Sequence, residues 1–236
     1  MNFRCLYNKL SRTYDKRHSS PTTRIIRERE VPIVKKFASG KTLDIGCGTG
    51  FHLPLVKDVI GTDISEGMLS RVKSEKPIMQ AKCEKLPLKS KSFDTVMCMF
   101  SVLNVCKYRN TVKEMHRVLK PGGRAILSVA SIWDWDYESL GDKKDDKITE
   151  EMRIKRFHIS GEDTQIYLFT KDELIDIFKK HGFNMEYFDS VFILQRPKWG
   201  DLTPLNLREK TKIWKEKFHS KDKDYGCIYF MVFRKS

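Results

Sequence analysis

Short apolar runs alternate with helix-length segments through the middle of the chain. The apolar runs predict strands at 42–45, 59–62, 78–81, 93–99 and 124–130. The segments between them predict helices at 50–56, from 65 to the residues before Pro77, and at 108–119. Because strands that alternate with helices are typical of βαβ units, this pattern predicts an α/β fold around a mostly parallel sheet.

The two ends of the chain follow other patterns. Pro21 and the stop signal Ser39-Gly40 bound a predicted helix over 21–38. After Ala130 the periodicity is lost over 133–161, a charged stretch that is longer than a simple connection and predicts an insertion or a mobile loop.

Regular structure resumes in the last third of the chain. A capping box at 170–173 and a stop at Gly182 predict a helix. Further strands are predicted at 165–169, 185–194 and 226–233, with a helix near 207–218 inside the basic segment 196–224.

Composition narrows the class of protein only slightly. No apolar run approaches the roughly 20 residues that span a bilayer, and the N-terminus lacks the apolar region of a secretory signal. The six cysteines form no Cys-x-x-Cys pair, which argues against structural zinc or a disulfide framework. We expect a soluble, cytoplasmic protein that binds no metal and no membrane.

The net charge of +14 is concentrated at the two ends of the chain. Residues 1–40 hold ten Lys/Arg against three acidic residues, and residues 196–236 hold eleven against five. The middle, 41–195, is nearly neutral. Basic flanks favour an anionic partner such as nucleic acid or a phosphorylated or acidic substrate, and a solvated lysine-rich surface is the alternative.

A glycine-rich turn follows the first predicted strand, with Gly46, Gly48 and Gly50 in alternate positions. Glycines let such a turn fold tightly and let a ligand approach the backbone. Asp44 precedes the turn and suits an amine-bearing or cationic ligand better than a pyrophosphate. Asp63 ends the second strand, where doubly wound folds place the carboxylate that binds ribose hydroxyls. S-adenosylmethionine has an amino group, a sulfonium and a free ribose diol, and no phosphate.

Four stretches in order resemble the motifs of class I S-adenosylmethionine-dependent methyltransferases, in particular the methyltransferase type 11 group of ubiquinone and menaquinone biosynthesis. They are residues 43–50, 61–69, 83–94 and 114–123. The resemblance covers about 41–130. It implies a Rossmann-like, seven-stranded sheet, mostly parallel with an antiparallel last strand and with helices on both faces. It also implies an enzyme that binds S-adenosylmethionine.

The resemblance divides a single domain, 1–236, into parts with different tasks. The parts are a basic N-terminal lid or helix (1–40), a donor-binding core (41–130), an insertion (131–164), and the C-terminal half of the sheet (165–236) with the basic insertion 196–224.

Roles for the donor-binding residues follow from the resemblance. The methionine part of the donor would be cradled by Asp44, Gly46, Cys47 and Gly48. The ribose would bind Asp63, the adenine would lie beside Ile64 and Met68, and the site would be completed by Cys83, Glu84 and Phe100. Lys82 stands where relatives usually have Asp. The acceptor for the adenine amino group is therefore missing or supplied by another residue.

Three residues are candidates on the acceptor side. Methyl transfer is a displacement at an activated carbon, so orientation supplies most of the acceleration. Asn104 stands where relatives often have His, and it can orient an acceptor or water, or simply hold a loop. Tyr14 and His18 lie about one helical turn apart and can both face the cleft. His18 is a candidate base because its ordinary pKa is near physiological pH, and a solvated surface histidine is the alternative.

Three hypotheses for function remain open. The first is methylation of a tRNA base, favoured by the basic flanks, by Trp133 and Trp135 as possible stacking partners, and by a faint resemblance of 156–158 and 167–174 to wobble-uridine tRNA methyltransferases. Alternatively, the two tryptophans only anchor the inserted loop. The second is methylation of a small metabolite. The third, a non-catalytic donor-binding scaffold, is disfavoured by the intact glycine turn and Asp63. No particular protein partner is predicted.

Overall fold

The computed structural model describes residues 3–134, 154–159, 162–193 and 226–236, and within these ranges seven strands form one sheet and two form a hairpin. The strands are β1 (Thr42–Ile45), β2 (Val59–Asp63), β3 (Ile78–Gln80), β4 (Phe93–Cys98), β5 (Leu119–Ala130), β6 (Ile154–Ile159), β7 (Glu162–Tyr167), β8 (Phe183–Ile193) and β9 (Gly226–Lys235). The helices are α1 (Phe3–Leu10), α2 (Tyr14–Arg17), α3 (Pro21–Phe37), α4 (Glu66–Leu69), α5 (Val102–Val105), α6 (Tyr108–Val118) and α7 (Lys171–Lys180).

The strand order in the sheet is β3-β2-β1-β4-β5-β9-β8. The pairs from β3 to β5 are parallel, and β9 is antiparallel to both of its neighbours, β5 and β8. The predicted fold is therefore confirmed, including the antiparallel last strand. Since β1, β2 and β4 are neighbouring parallel strands, the loops that follow them meet at one edge of the sheet.

The sheet is buried on both faces, which explains why its strands are nearly continuous apolar runs. Alternate residues of β9 point to opposite sides: Tyr229, Met231 and Phe233 pack with residues of α6 and α7, while Ile228, Phe230 and Val232 pack with residues of α3. The predicted arrangement of helices on both faces follows from this two-sided core.

Both predicted helices start where their sequence signals place them. Helix α3 begins at Pro21, and the Ser20 side chain, which the sequence pattern did not single out, caps it by accepting a hydrogen bond from the Thr23 amide at 3.2 Å. The Thr170 hydroxyl accepts one from the Glu173 amide at 3.1 Å and caps α7. Gly182, with φ of 77°, ends the latter helix.

Some local elements differ from the prediction. The segment 50–56 holds only a 3-10 turn at Leu53–Leu55, because Pro54 lacks the amide that an α-helix would use there. The helix after Ser65 is the single turn α4. Part of the predicted insertion forms the antiparallel hairpin of β6 and β7. The predicted helix 207–218, the segment 196–224 and Trp135 lie outside the described residues.

No helix in the described part of the chain is both long enough and apolar enough to cross a membrane.

A stability prediction follows from the packing of β9. Phe233 is fully buried, and its ring stacks on Phe178 with centroids 4.0 Å apart. Phe233→Ala should lower the free energy of unfolding by about 3–5 kcal/mol, because the cavity cannot collapse inside a sheet covered on both faces. Met185, paired with Phe233 on β8 but 39% exposed, is the matched control. Urea unfolding should show a loss of about 1 kcal/mol or less for Met185→Ala, and equal losses would contradict the core assignment.

Candidate active site

The glycine turn after β1 has two glycines that serve different purposes. Gly46 has φ of 70° and donates its amide to the Thr62 carbonyl at 2.7 Å, and a Cβ there would overlap the Val102 side chain. Gly48 has φ of 56°, and a Cβ there would meet only the Met68 methyl carbon at 3.9 Å. Packing therefore requires glycine at position 46, whereas at position 48 glycine leaves open space in which a ligand can approach the backbone.

The Asp63 carboxylate joins the loops after β1 and β2. One oxygen accepts the Gly48 amide at 2.9 Å, and the other accepts the Ser65 amide at 2.8 Å. Burial raises the pKa of Asp63, and these amide bonds oppose the rise. Each carboxylate oxygen has a further lone pair, so the group can still accept hydrogen bonds from a ribose diol.

Asp44 lies beneath the glycine turn and is only 1% exposed. Its Oδ2 atom has no hydrogen-bond partner among the described residues. Burial raises the pKa of Asp44 to about 7, although the nearby charge of His52 lowers it. A buried carboxylate oxygen without a partner fits the cationic methionine part of S-adenosylmethionine.

A cleft of about 890 Å³ opens above these groups. Nearly all of the predicted donor-binding residues line it: Gly46, Cys47, Gly48, Asp63, Ile64, Met68, Cys83, Glu84 and Phe100. Asp44 is not part of the cleft surface, since it lies under the turn. The structure thus brings the predicted set together in one place, and the contact of each residue with the donor stays a prediction.

The far end of the cleft is held by the loop after β3. Glu84 accepts the Lys107 amide at 3.1 Å, which ties this loop to the start of α6. Cys83 lies against Cys106, and that contact, together with burial, raises the pKa of the Cys83 thiol. Lys82, the departure from the family pattern, also lines the cleft.

The N-terminal segment covers the cleft. Asn8 accepts hydrogen bonds from the Ser65 hydroxyl at 2.6 Å and from the Gly67 amide at 3.0 Å, which fixes α1 on α4. Tyr7 also lines the cleft, and burial raises its pKa to about 12. The sequence pattern did not identify Asn8 or Tyr7, since these contacts join residues nearly 60 positions apart.

The rings of Tyr14 and His18 are in contact, with centroids 4.1 Å apart and planes tilted by 31°, but they face different spaces. Tyr14 lines the donor cleft, and His18 lines a neighbouring cavity while its ring packs edge-on against Phe100. Burial lowers the pKa of His18, so the ring is neutral near pH 7. Its Nδ1 lies 2.9 Å from the Tyr14 carbonyl, which assigns the proton to Nδ1 and leaves Nε2 able to accept one.

Asn104 is buried, and all of its side-chain polar atoms bond to backbone. Its amide nitrogen donates to the Ala130 carbonyl at 2.8 Å and to the Tyr167 carbonyl at 2.6 Å, while its oxygen accepts the Ala130 amide at 3.0 Å. These bonds tie the end of β5 to the end of β7, which is a structural task. Asn104 also lines the cleft, and its role toward an acceptor stays a prediction.

A buried polar network lies behind the cleft. Glu30, on α3 and fully buried, accepts the Ser128 hydroxyl at 2.5 Å and bonds His52 Nε2 at 3.0 Å. Burial lowers the pKa of His52, but the bond to Glu30 and the charges of Glu30 and Asp44 outweigh it, so the net shift is upward. A signal for Glu30 was present in the sequence, because it lies four residues after Ile26 on the apolar face of α3.

The same network supports a strained turn after β4. Phe100 and Ser101 have φ of 56° and 67°, in the left-handed region that non-glycine residues rarely occupy. Ser128 holds this turn, because its hydroxyl accepts the Phe100 amide at 2.5 Å and its carbonyl accepts the Ser101 amide at 2.8 Å. Strain of this kind persists only where the surroundings enforce it, and it is frequent at functional sites.

Trp133, a predicted stacking partner for the acceptor, is part of the core. It packs against apolar residues on both faces of the sheet, and its carbonyl accepts the Cys227 thiol at 3.1 Å. It is not among the residues that line the cleft.

All six cysteines are free thiols. Over the described ranges, no cluster of three or more His, Cys, Asp or Glu side chains could hold a metal ion.

Comparison with known proteins identifies the family. Residues 43–127 match the methyltransferase domain family. An uncharacterized protein of Methanocaldococcus jannaschii is 35% identical over 84% of this chain and 82% of its own length. A S-adenosylmethionine-dependent methyltransferase of Thermotoga maritima, described as a possible histamine N-methyltransferase, has the same fold, with a TM-score of 0.62, 21% identity and 98% of each chain covered.

Relatives with named substrates match less of their length. A tRNA N(3)-cytidine methyltransferase of Danio rerio is 28% identical over 61% of this chain, which spans 45% of that protein. A demethylmenaquinone methyltransferase of Porphyromonas gingivalis is 31% identical over 52% of this chain and 58% of its own length.

A second solved structure matches nearly the whole chain. It is the putative methyltransferase of Haloferax volcanii in complex with the activator Trm112, with a TM-score of 0.62 at 16% identity over 98% of this chain and 94% of that one.

The chain belongs to the class I S-adenosylmethionine-dependent methyltransferases. It is an enzyme, and its cofactor is S-adenosylmethionine, which when bound supplies a methyl group already activated by the sulfonium. The residues of this chain have to bind the donor, orient the acceptor and exclude water.

Asp63 gives a direct test of the donor site. Asp63→Ala removes both a ribose acceptor and the anchor of the Gly48 amide, so donor affinity should fall roughly 100-fold, as expected for two lost charged hydrogen bonds. Calorimetry with S-adenosylmethionine measures this. Asp58 is an exposed carboxylate just before the start of β2, so Asp58→Ala should leave the affinity unchanged. An unaltered affinity in the Asp63 variant would refute the assignment.

Asp44 predicts a pH dependence of donor binding. Below its pKa of about 7 the free carboxyl is protonated. A cation beside it favours the ionised form, so binding releases a proton, and affinity should rise with pH up to about 7 and level off above. Calorimetry at about pH 6 in buffers of different ionisation enthalpy counts the protons released. Asp44→Asn should reduce that count, whereas His52 would still contribute. An undiminished count would contradict the prediction.

Proposed function

We propose that this enzyme transfers a methyl group to an anionic acceptor, and that the acceptor is a base of RNA, with tRNA the first candidate. The observation that carries the proposal is the position of the basic N-terminal segment. Residues 1–40 carry ten Lys/Arg against three acidic residues, and α1, α2 and α3 from this segment form a wall of the donor cleft. Positive charge beside the reaction centre favours a polyanion.

The aromatic groups around the cleft support a flat acceptor. Tyr14, His18 and Phe100 form a continuous set of ring contacts, and the Arg27 guanidinium lies 3.6 Å from the centroid of Phe51. Aromatic rings and guanidinium planes are the groups on which unstacked bases are held in RNA recognition. The similarity to the tRNA N(3)-cytidine methyltransferase of Danio rerio supports the same class of acceptor.

In this proposal three residues shape the acceptor side. His18 lines the neighbouring cavity and not the cleft, so it acts through its ring contact with Phe100 and does not serve as the base that the sequence predicts. Tyr14 positions the acceptor from the cleft side. Asn104 sets the shape of the acceptor wall by holding β5 to β7. The division of the chain into lid, core, insertion and C-terminal half, and its cytoplasmic location, belong to the same proposal.

A small metabolite is the second candidate. The observation in its favour is the similarity to a demethylmenaquinone methyltransferase, together with a lid that is closed by Asn8 and leaves a bounded cleft. An acceptor of this kind needs no basic flanks.

A labelling experiment separates the two candidates. The protein is incubated with S-adenosylmethionine labelled in the methyl group and with cell extract, with and without prior ribonuclease treatment. RNA as acceptor predicts label in the tRNA fraction that ribonuclease removes, and loss of that label in Asp63→Ala. Label in the organic-soluble or small-molecule fraction, unaffected by ribonuclease, would reject RNA and favour the metabolite.

A further inference from the structure

A second cavity, of about 1020 Å³, lies beside the donor cleft. It is bounded by the stretch from α2 into α3 on one side, and by the end of the glycine turn and the residues after α4 on the other. The two spaces share the side chains of Arg27, Thr49 and Phe51. A molecule bound in this cavity would therefore lie next to the reaction centre.

The charge of this cavity is predominantly positive. Arg24, Arg27, Arg71 and Lys73 line it, against two carboxylates. Across the described ranges none of these four cations has an ion-pair partner. By contrast Arg4, Arg29, Arg117, Lys120 and Arg124 are all paired.

The two carboxylates, Asp15 and Glu28, offset only part of this charge, since four cations face them. Asp15 also accepts the Thr49 hydroxyl at 2.7 Å, which holds the N-terminal segment on the glycine turn. Four cations without an ion-pair partner, placed around a concave space, have the chemistry that binds phosphate oxygens.

Arg27 connects this charge to the donor site. Its Nε atom is buried without a hydrogen-bond partner in the part of the chain that the structure describes. Its guanidinium lies 3.6 Å from the ring centroid of Phe51 and 5.5 Å from that of Phe100. A cation that lies over two aromatic rings, on a side chain that lines both spaces, suits a ligand whose anionic backbone lies on one side and whose flat base lies on the other.

We propose that the second cavity binds the phosphodiester backbone of a single-stranded stretch of the RNA acceptor, next to the nucleotide that enters the donor cleft. This inference rests on the proposed RNA function. Backbone contacts of this kind fix the position of the strand and carry no sequence information. Arg24, Arg71 and Lys73 supply the phosphate contacts. Arg27, which lines both spaces, lies where the RNA strand would turn from the second cavity into the donor cleft.

The test compares two double variants that remove the same charge. Arg71→Ala/Lys73→Ala removes two cavity cations that are exposed and have no core contacts. Lys179→Ala/Lys180→Ala removes two exposed cations of α7, which packs on the opposite face of the sheet from α3. Binding of a short fluorescein-labelled single-stranded RNA is followed by anisotropy over a range of salt concentrations, and donor affinity is measured by calorimetry.

The cavity variant should flatten the slope of log affinity against log salt by about 1.4, for two contacts at about 0.7 each, and should weaken binding roughly 25-fold at about 0.1 M salt. The α7 variant should keep the slope of the unmodified protein. Donor affinity should be unchanged in both, because neither pair lines the donor cleft.

Each other outcome has a defined meaning. Unmodified protein that binds and methylates RNA while both variants keep its slope would overturn the cavity site and leave the RNA function standing. If both variants flattened the salt slope equally, the effect would come from the overall charge of the protein, and the cavity site would again be overturned. Loss of donor affinity in the cavity variant would assign those side chains to the donor site instead. Absence of salt-dependent RNA binding by the unmodified protein would reject the RNA function, and the cavity site with it.

Discussion

The pair of hydrogen bonds from the Gly48 and Ser65 amides to the Asp63 carboxylate is the constraint on which the donor site depends. The bonds measure 2.9 and 2.8 Å, and they fix the loops after β1 and β2 against each other at the edge of the sheet. The Ser65 side chain then caps α4, and Asn8 bonds to that cap, so the N-terminal segment is built on the same carboxylate. One side chain thus orders the glycine turn, the start of α4 and the position of α1.

Much of this arrangement could be predicted from the sequence because its signals are local. Gly46, Gly48 and Asp63 lie at fixed distances from the ends of short apolar strands, and the parallel sheet brings such ends to one edge. The capping residue of α7, Thr170, acts on backbone three residues away. What could not be predicted depends on contacts between distant parts of the chain. The pairing of Asn8 with Ser65 spans 57 positions, and that of Glu30 with Ser128 spans 98.

The buried network of Glu30, His52 and Ser128 illustrates how a polar group inside the core serves a site that it does not touch. An unpaired carboxylate in the core would be costly, but here hydrogen bonds satisfy it. The network fixes the left-handed turn at Phe100 and Ser101, and Phe100 in turn contacts His18 and borders Arg27. The orientation of Phe100 is therefore set by residues of α3 and β5.

The contact of Asn8 with α4 has a kinetic consequence. Movement of α1 away from α4 requires the bonds of Asn8 to Ser65 and Gly67 to break, so the N-terminal wall of the cleft opens no faster than these two bonds are lost. Two neutral hydrogen bonds are a modest barrier, each contributing about 1 kcal/mol net, which allows opening in every catalytic cycle.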